Sequence, residues 1–234
     1  MAFDQYFLKD LPVSIIDGDR GKAYPKRSEF TKSGHCLFLN AGNVTSTGFD
    51  FSDCSFISEE RHSLLRKGTL QRGDSVLTTR GTVGNVSFYG DSVPFEIMRI
   101  NSGMVILRCD ESVLDPLFFY WFLRSSQFSS QVELLTTGSA QPQLPIRDIK
   151  EISASLPQLV EQKAIANVIA TLDDKIELNR KTNETLEGIA KALFKSWFVD
   201  FDPVKAKAEG RPTGLPDEIS ELFPDSFEES ELGE

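Results

Sequence analysis

The hydrophobic pattern of the chain changes character at Pro157. Before it, short apolar runs alternate with Gly and Asp turns; after it, apolar residues recur at helical spacing with no proline until residue 203. The first pattern is typical of mixed strands and helices and the second of one long helix. We therefore predict an α+β fold: a mixed α/β domain over residues 1–157, a long helix over 158–198, and a tail over 199–234.

Four runs in the first segment have the β-branched and aromatic composition of strands, with Gly and Asp turns between them. They are CLFLNA (36–41), SVLTT (75–79), NVSFY (85–89) and MVILR (104–108). Two helices interrupt these runs. Ser58 is a suitable N-cap before an acidic first turn, with Gly68 past the end. Asp115 is followed by Pro116 at the first helical position, and the apolar run LFFYWFL after them predicts a buried helix.

The long segment carries a heptad seam of about four repeats, which is typical of a coiled coil. Its members are Ile169, Leu172, Ile176, Asn179, Asn183, Leu186, Ala190, Leu193 and Trp197. A helix over 158–198 forms a rod of roughly 60 Å at about 1.5 Å per residue. A stripe this long needs a second helix along its length, so we expect an antiparallel coiled coil. Asn179 and Asn183 lie mid-seam, where a buried Asn can fix the register. A helix lying across its own domain is the open alternative.

Charge is distributed unevenly along the chain. The net charge is −10, yet residues 1–157 carry 16 basic and 18 acidic residues, whereas residues 199–234 carry 3 and 11. The acidic, proline-containing tail has the composition of a flexible linker. Segments 20–32 and 61–108 are each net +4. Two basic segments on a near-neutral domain can form a phosphate-binding face; solvated loop charges explain them equally well.

Several classes of protein are disfavoured. No run of 18 apolar residues is present, so no membrane span is predicted. The first residues lack the basic and apolar regions of a secretion signal, and we expect a cytoplasmic protein. Cys36, Cys54 and Cys109 lack CxxC spacing and are predicted to be small buried thiols rather than a zinc site or a disulfide framework. His35 and His62 have no metal-ligand spacing either.

No complete catalytic motif is present. DPLF (115–118) resembles the base-holding loop of amino-methyltransferases, but Leu117 replaces a proline and a capped helix explains the same residues. EQK (161–163) has the spacing of one nuclease signature without its Pro-Asp pair. GTVG (81–84) is too short for a dinucleotide loop. A methyltransferase fragment is therefore the weakest functional alternative.

Taken in order, several passages resemble the specificity (S) subunits of Type I restriction–modification enzymes. The matching passages are DGDRG (17–21), GDSVLTTRGTVGNV (73–86), TTGSAQPQL (136–144), and the segments 155–179 and 186–210. The most specific is the step from LPQLVEQ to LDDKI, which in that family opens the spacer helix. The resemblance covers most of the chain.

The resemblance implies a non-catalytic subunit within a larger complex. Members of the family have two recognition domains, each followed by a long helix, and each domain reads one part of a split site in double-stranded DNA. Modification (M) subunits methylate adenine with S-adenosylmethionine, and restriction (R) subunits translocate and cut. S-adenosylmethionine, ATP and Mg²⁺ belong to those subunits, so we expect no cofactor, no metal and no catalytic residue in this chain.

One departure from the family matters. This chain has one recognition domain and one long helix. It ends in SELGE (230–234), and a similar sequence opens the second half of longer family members. We therefore expect a half-subunit, natural or cut, that pairs as a homodimer through its helix. The runner-up is an interaction module that docks M subunits without binding DNA.

The two polar loops around residues 78–84 and 138–144, together with the basic segments 20–32 and 61–108, supply candidate DNA contacts. Arg suits guanine edges or phosphate, Gln suits adenine, and Thr suits phosphate oxygens. The candidates are Arg20, Lys22, Lys26, Arg27, Thr79, Arg80, Thr82, Arg99 and Gln141.

Overall fold

The computed structural model describes residues 4–138 and 140–228, and within them the chain is α+β, with eleven strands and seven α-helices. The strands are β1 (Asp4–Phe7), β2 (Val13–Asp17), β3 (Cys36–Phe38), β4 (Val44–Thr45), β5 (Gly48–Phe49), β6 (Phe56–Ile57), β7 (Ser75–Thr78), β8 (Val86–Phe88), β9 (Met98–Arg99), β10 (Met104–Cys109) and β11 (Ser153–Leu156). The helices are α1 (Glu59–Leu64), α2 (Pro116–Leu123), α3 (Ser126–Leu135), α4 (Ile146–Ile149), α5 (Leu159–Phe198), α6 (Asp202–Ala208) and α7 (Asp217–Ser220). The chain forms two compact units, of which the first runs to Ala170 and the second begins at Thr171. None of the described helices has the length and hydrophobicity of a membrane span.

A four-stranded antiparallel sheet in the order β2-β10-β7-β8 organises the first unit. Successive side chains of a strand point to opposite faces. One face carries Leu77 and Val105, which pack against the phenylalanines of α2 and α3. The opposite face carries Val76 and Ile106, which pack against the smaller sheet β6-β3-β9. Because each fully buried Leu, Ile or Val contributes about 1.5–3 kcal/mol, this doubly covered sheet is a stable base for the loops at its edges.

The four predicted strands and both predicted helix starts are confirmed. CLFLNA, SVLTT, NVSFY and MVILR form β3, β7, β8 and β10. The Ser58 hydroxyl accepts from the Arg61 amide, and α1 ends at Leu64, before Gly68. The Asp115 carboxylate accepts from the Phe118 amide at 2.8 Å, and most of α2 is buried. The DPLF residues therefore form the start of a core helix.

The first turns of α5 belong to the first unit. Gln162 is buried; its Oε1 accepts from the Asp115 amide at 2.9 Å and its Nε2 donates to the Pro157 carbonyl at 3.0 Å. Ala166, one turn further, lies in the core cluster that contains α2. EQK (161–163) thus contributes a structural glutamine at its centre, which accounts for this motif without nuclease chemistry.

Further along α5, in the second unit, the heptad seam is uncovered. The side chains of Leu172, Ile176 and Leu186 are exposed by 55%, 66% and 57%. Trp197 is partly buried, and its ring lies 5.4 Å from that of Phe223. Within the described chain, most of the predicted seam is therefore an apolar stripe that faces solvent.

The prediction of a flexible linker is wrong for residues 199–228. Phe201 adopts a left-handed conformation at φ 51°, and α6 follows with Val204 and Ala206 buried. The Lys207 ammonium donates to the carbonyls of Ser220 and Phe223, which ties α6 to the segment after α7. Aromatic residues and these backbone contacts stabilise a segment whose composition indicated disorder. The SELGE passage (230–234) lies outside the described residues.

Arg99, one of the predicted DNA contacts, is buried and has structural partners, which disfavours a contact with DNA. The residue is only 4% exposed. Its guanidinium donates to the carbonyls of Lys67 and Leu65 and to Nδ1 of His62. Nη1 also lies 3.4 Å from the carboxylate of Asp19. Because a buried charge needs several partners to offset its desolvation, this arginine is committed to the interior.

We expect His62 to make stability fall as the medium becomes acidic. Burial, with Arg99 and His35 nearby, lowers the pKa of His62 below its usual 6.5. As the pH falls below about 6.5, the unfolded chain binds a proton that the native imidazole resists, so the free energy of unfolding decreases. His62→Gln keeps an acceptor for Arg99 but does not titrate. Between pH 7 and pH 5, urea unfolding should show a smaller decrease in the free energy of unfolding for His62→Gln than for the wild type.

The matched control is His35→Gln, which removes the exposed histidine beside His62. Burial, the largest cause of the lowered pKa of His62, remains in this variant, so most of the wild-type pH dependence should persist. Equal losses in the wild type and in His62→Gln would show that His62 is not the titrating group.

We expect Asp74→Ala to destabilise the central sheet strongly. Asp74 is 1% exposed and accepts from Nε and Nη2 of Arg108, each at 2.7 Å, and from the Gln71 amide. Removing one partner of a buried ion pair leaves the other without compensation, at a cost of about 3–5 kcal/mol. Urea unfolding measures the loss. Glu151→Ala, which breaks the exposed pair with Lys9, should cost under about 1 kcal/mol; equal losses would contradict the structural role of Asp74.

Candidate nucleic-acid interface

Three loops leave the central sheet at the same edge. Asp17, the last residue of β2, lies opposite Val105, and Thr78, the last residue of β7, lies opposite Met104. Because both strands run antiparallel to β10, their carboxyl ends meet where β10 begins. The loops 18–22, 79–85 and 101–103 are therefore neighbours, although 78 residues separate the first from the third in sequence.

A fourth loop is tied to the same edge by its backbone. The Leu144 amide donates to the Thr79 carbonyl at 2.9 Å, and Gln143 forms bridges with both Arg80 and Thr137. The loop of residues 136–145 is thereby held against the β7–β8 loop. Gly138 has φ 88°, and a Cβ there would lie 2.8 Å from the Gln141 carbonyl oxygen, so this turn requires glycine.

The loop of residues 101–103 lies between the others. The amides of Thr79 and Arg80 both donate to the Gly103 carbonyl, at 2.8 and 3.2 Å. A Cβ on Gly18 would stand 2.2 Å from the Asn101 carbonyl oxygen, so the two backbones approach more closely than any other residue allows. These contacts connect all four loops into one surface.

A cavity of about 230 Å³ lies at this edge, between loops 18–22, 79–85 and 136–145. It is lined by Asp17, Arg20, Thr79, Arg80, Val105, Gln143, Leu144, Pro145 and Ile146. Arg20 pairs with Asp17, with Nη2 3.0 Å from Oδ2, and also donates to the Ser102 carbonyl at 3.4 Å. Cationic, amide and hydroxyl groups thus converge at one edge, as recognition of a polar, negatively charged ligand requires.

The structure brings most of the predicted DNA contacts to this edge. Arg20, Thr79 and Arg80 line the cavity together. Lys22 and Thr82 are exposed on two of the same loops. These positions are compatible with the predicted contacts, which stay predictions.

Three predicted residues lie differently from the group. Gln141 is exposed on the fourth loop, but Gln143 is the glutamine that lines the cavity. Lys26 and Arg27 open a short 3-10 turn, and among the described residues the side-chain contacts of its Glu29 lead to Arg61 rather than to the cavity. Ser139, in the same passage as Gln141, lies outside the described residues.

The candidate surface also includes residues that the sequence did not single out. Asp19 accepts from the amides of Arg66 and Lys67, each at 2.8 Å, and so places two exposed basic residues next to loop 18–22. Asp17 and Gln143 were missed as well. The only sequence signal for Arg66 and Lys67 was their position before Gly68. The positions of Asp17 and Gln143 at the cavity depend on how the loops fold together.

The described residues contain no group of three or more His, Cys, Asp or Glu side chains placed to hold a metal ion. Burial raises the pKa of the Cys36 and Cys109 thiols to about 12, which disfavours the nucleophilic thiolate near neutral pH.

Comparison with known proteins agrees with this picture. The family model of the Type I restriction modification DNA specificity domain matches residues 3–188. The HindI specificity subunit of Haemophilus influenzae is 30% identical over 207 residues, which cover 88% of this chain and 44% of that protein. The MjaIX specificity subunit of Methanocaldococcus jannaschii is 31% identical over 198 residues, covering 85% of this chain and 41% of that protein. The chain thus spans less than half the length of each.

Solved structures share the fold. The HsdS subunit of Thermoanaerobacter tengcongensis gives a TM-score of 0.56 at 18% identity, over 92% of this chain and 52% of that one. The S subunit of a Type I system from M. genitalium gives 0.52 at 18% identity, over 93% and 47%. With a family model that matches four-fifths of its length, this chain belongs to the Type I restriction modification DNA specificity domain family.

Proposed function

We propose that the chain is a DNA sequence-recognition subunit of a Type I restriction–modification complex. The observation that carries this proposal is the convergence of four loops at one sheet edge, with Arg20, Arg80 and Gln143 around one cavity. In protein–DNA complexes, Arg side chains commonly contact guanine or phosphate, and Gln side chains commonly contact adenine. Arg20, Arg80 and Gln143 lie within residues 3–188, the part that matches the specificity-domain family.

The chain in this proposal binds DNA and holds partners, and it catalyses nothing itself. It docks M subunits, which bring S-adenosylmethionine, and R subunits, which bring ATP and Mg²⁺. The complex acts in the cytoplasm, where its DNA substrate is. Purified chain without M subunits should not methylate adenine, cut DNA or hydrolyse ATP.

We also propose that two copies pair through antiparallel α5 helices. Leu172, Ile176 and Leu186 face solvent in the single chain, and burying each would contribute about 1.5–3 kcal/mol. Asn179 and Asn183 lie at the middle of the seam, where they would set the register of the pair. A second copy would also supply the second recognition domain that the family resemblance implies; this chain spans 44% of the HindI specificity subunit.

A two-fold dimer determines the form of the DNA site. Identical domains related by a dyad read an inverted repeat, so the site should be two short half-sites around a non-specific spacer. Selection of duplexes from a random pool, using the chain with its M subunit, should return an interrupted palindrome. An asymmetric site would contradict the dyad. Binding of M without enrichment of any sequence would favour the scaffold alternative.

We expect Arg80→Ala to weaken DNA binding in a way that identifies its contact. If Arg80 reads guanine, the loss should be about 1–3 kcal/mol, with relaxed preference at one position. If it contacts phosphate, affinity should fall evenly across sequences and the salt slope should decrease by about one. Titrations at several salt concentrations distinguish these results. Arg211→Ala, which removes an exposed arginine of the second unit, is the charge-matched control. Unchanged affinity and salt slope would make Arg80 only a turn residue.

We expect Ile176→Asp to convert the dimer into monomers. Ile176 is a seam residue and is 66% exposed in the single chain; Leu178 is equally exposed, at 63%, but lies outside the seam. A charge at residue 176 would have to be desolvated in the pair, whereas a charge at residue 178 would stay in water. Sedimentation velocity at micromolar concentration should show a monomer for Ile176→Asp and a dimer for Leu178→Asp. A monomeric wild type would contradict pairing of the free chain.

A further inference from the structure

Asp17 places a carboxylate among the proposed DNA contacts. It ends β2, lines the cavity with Arg20, Arg80 and Gln143, and its side chain is 31% exposed. A carboxylate close to DNA is repelled by the phosphates. The ion pair with Arg20 offsets part of this repulsion, and a donor on the DNA that meets the carboxylate would make its position at this edge favourable.

The donors that a major groove offers are the amino groups of cytosine and adenine. Asp17 has capacity for such a donor. Its two oxygens accept from Nη2 of Arg20 at 3.0 and 3.2 Å, and an ionised carboxylate has about four lone-pair positions. Positions therefore remain on the carboxylate while the ion pair with Arg20 is intact.

The ion pair matches the edge of one base pair. In a C·G pair, the cytosine amino group stands beside guanine O6 at about 2.9 Å, the length of an ordinary N–H···O bond. Asp17 and Arg20 present an acceptor beside a donor at nearly the same spacing. The order of donor and acceptor on the protein is thus complementary to that on the DNA.

An A·T pair shows the same order but fits less well. Adenine N7 lies next to the amino group and would face the carboxylate, acceptor against acceptor. Thymine offers one acceptor, O4, beside its methyl group, whereas guanine offers O6 and N7 together. The fork of an arginine prefers two adjacent acceptors.

We propose that Asp17 and Arg20 together read one C·G base pair. Asp17 accepts from the cytosine N4 amino group, and Arg20 donates to guanine O6 and N7. Asp17 is thereby a specificity-determining residue, and its ion pair with Arg20 holds the two side chains ready at the cavity. This reading of a base pair rests on the DNA-binding role proposed above.

The first test compares Asp17→Asn with the wild type, each with its M subunit, by selection from random duplexes and by titration. Asp17→Asn should lose its preference for C·G at one position by about 5- to 150-fold, the range for one good base contact, and keep the others. Asp53→Asn removes the carboxylate of another exposed ion pair, with Lys32 at 2.7 Å, and should keep every preference.

The second test changes the DNA and therefore does not depend on how a variant folds. At the position that Asp17→Asn relaxes, or at each selected C·G pair in turn, cytosine is replaced by 2-pyrimidinone, which lacks the amino group. At one such position the analogue should reduce the affinity of the wild type, relative to the parent duplex. The same replacement should reduce the affinity of Asp17→Asn less.

The outcomes separate the two proposals. An even change of affinity across all sequences for Asp17→Asn, or an equal effect of every analogue on both proteins, overturns base reading by Asp17. The DNA-binding role still stands in that case if the wild type selects a defined site. Failure of the wild type with its M subunit to select any sequence overturns both.

Discussion

The antiparallel register of the central sheet is the constraint on which the candidate interface depends. Because β2 and β7 both pair with β10, Asp17 and Thr78 end at the same edge. A shift of one residue in the β7–β10 pairing would turn Val76 and Leu77 to the wrong faces and expose apolar area on both sides of the sheet. The core packing that stabilises the sheet therefore also positions the loops that would meet DNA.

Buried polar groups then hold the loops in place. Arg99, enclosed beneath the edge, reaches Asp19, and the Asp19 carboxylate accepts from two amides of the neighbouring loop. Gly18 allows its backbone to approach the Asn101 carbonyl, which links loop 18–22 to loop 101–103. The position of the basic side chains at the surface thus depends on the buried guanidinium of Arg99. Arg99, a residue predicted from its charge, supports these loops from the interior.

In the second unit, apolar side chains of α5 lie at the surface. Leu172, Ile176 and Leu186 are more than half exposed, and the exposed side chains around them, including Arg180 and Glu177, form ion pairs within the helix. The hydrogen bond with Arg180 lowers the pKa of Glu177 to about 2. Such pairs contribute little stability, so they do not explain an uncovered stripe. The homodimer proposed above would cover this stripe.

The sequence alone determined the elements whose signals are local. Hydrophobic period, caps and proline positions located β3, β7, β8, β10, the starts of α1 and α2, and the bounds of α5, because each of these depends on neighbours within a few residues. Motif order was sufficient for the family. Tertiary structure alone decided that Arg99 is interior, that Gln143 rather than Gln141 lines the cavity, and that Asp17 lines it beside Arg80. It also decided that the acidic tail folds, through contacts of Lys207 with residues after α7. These outcomes depend on contacts between distant segments, which composition and spacing do not encode.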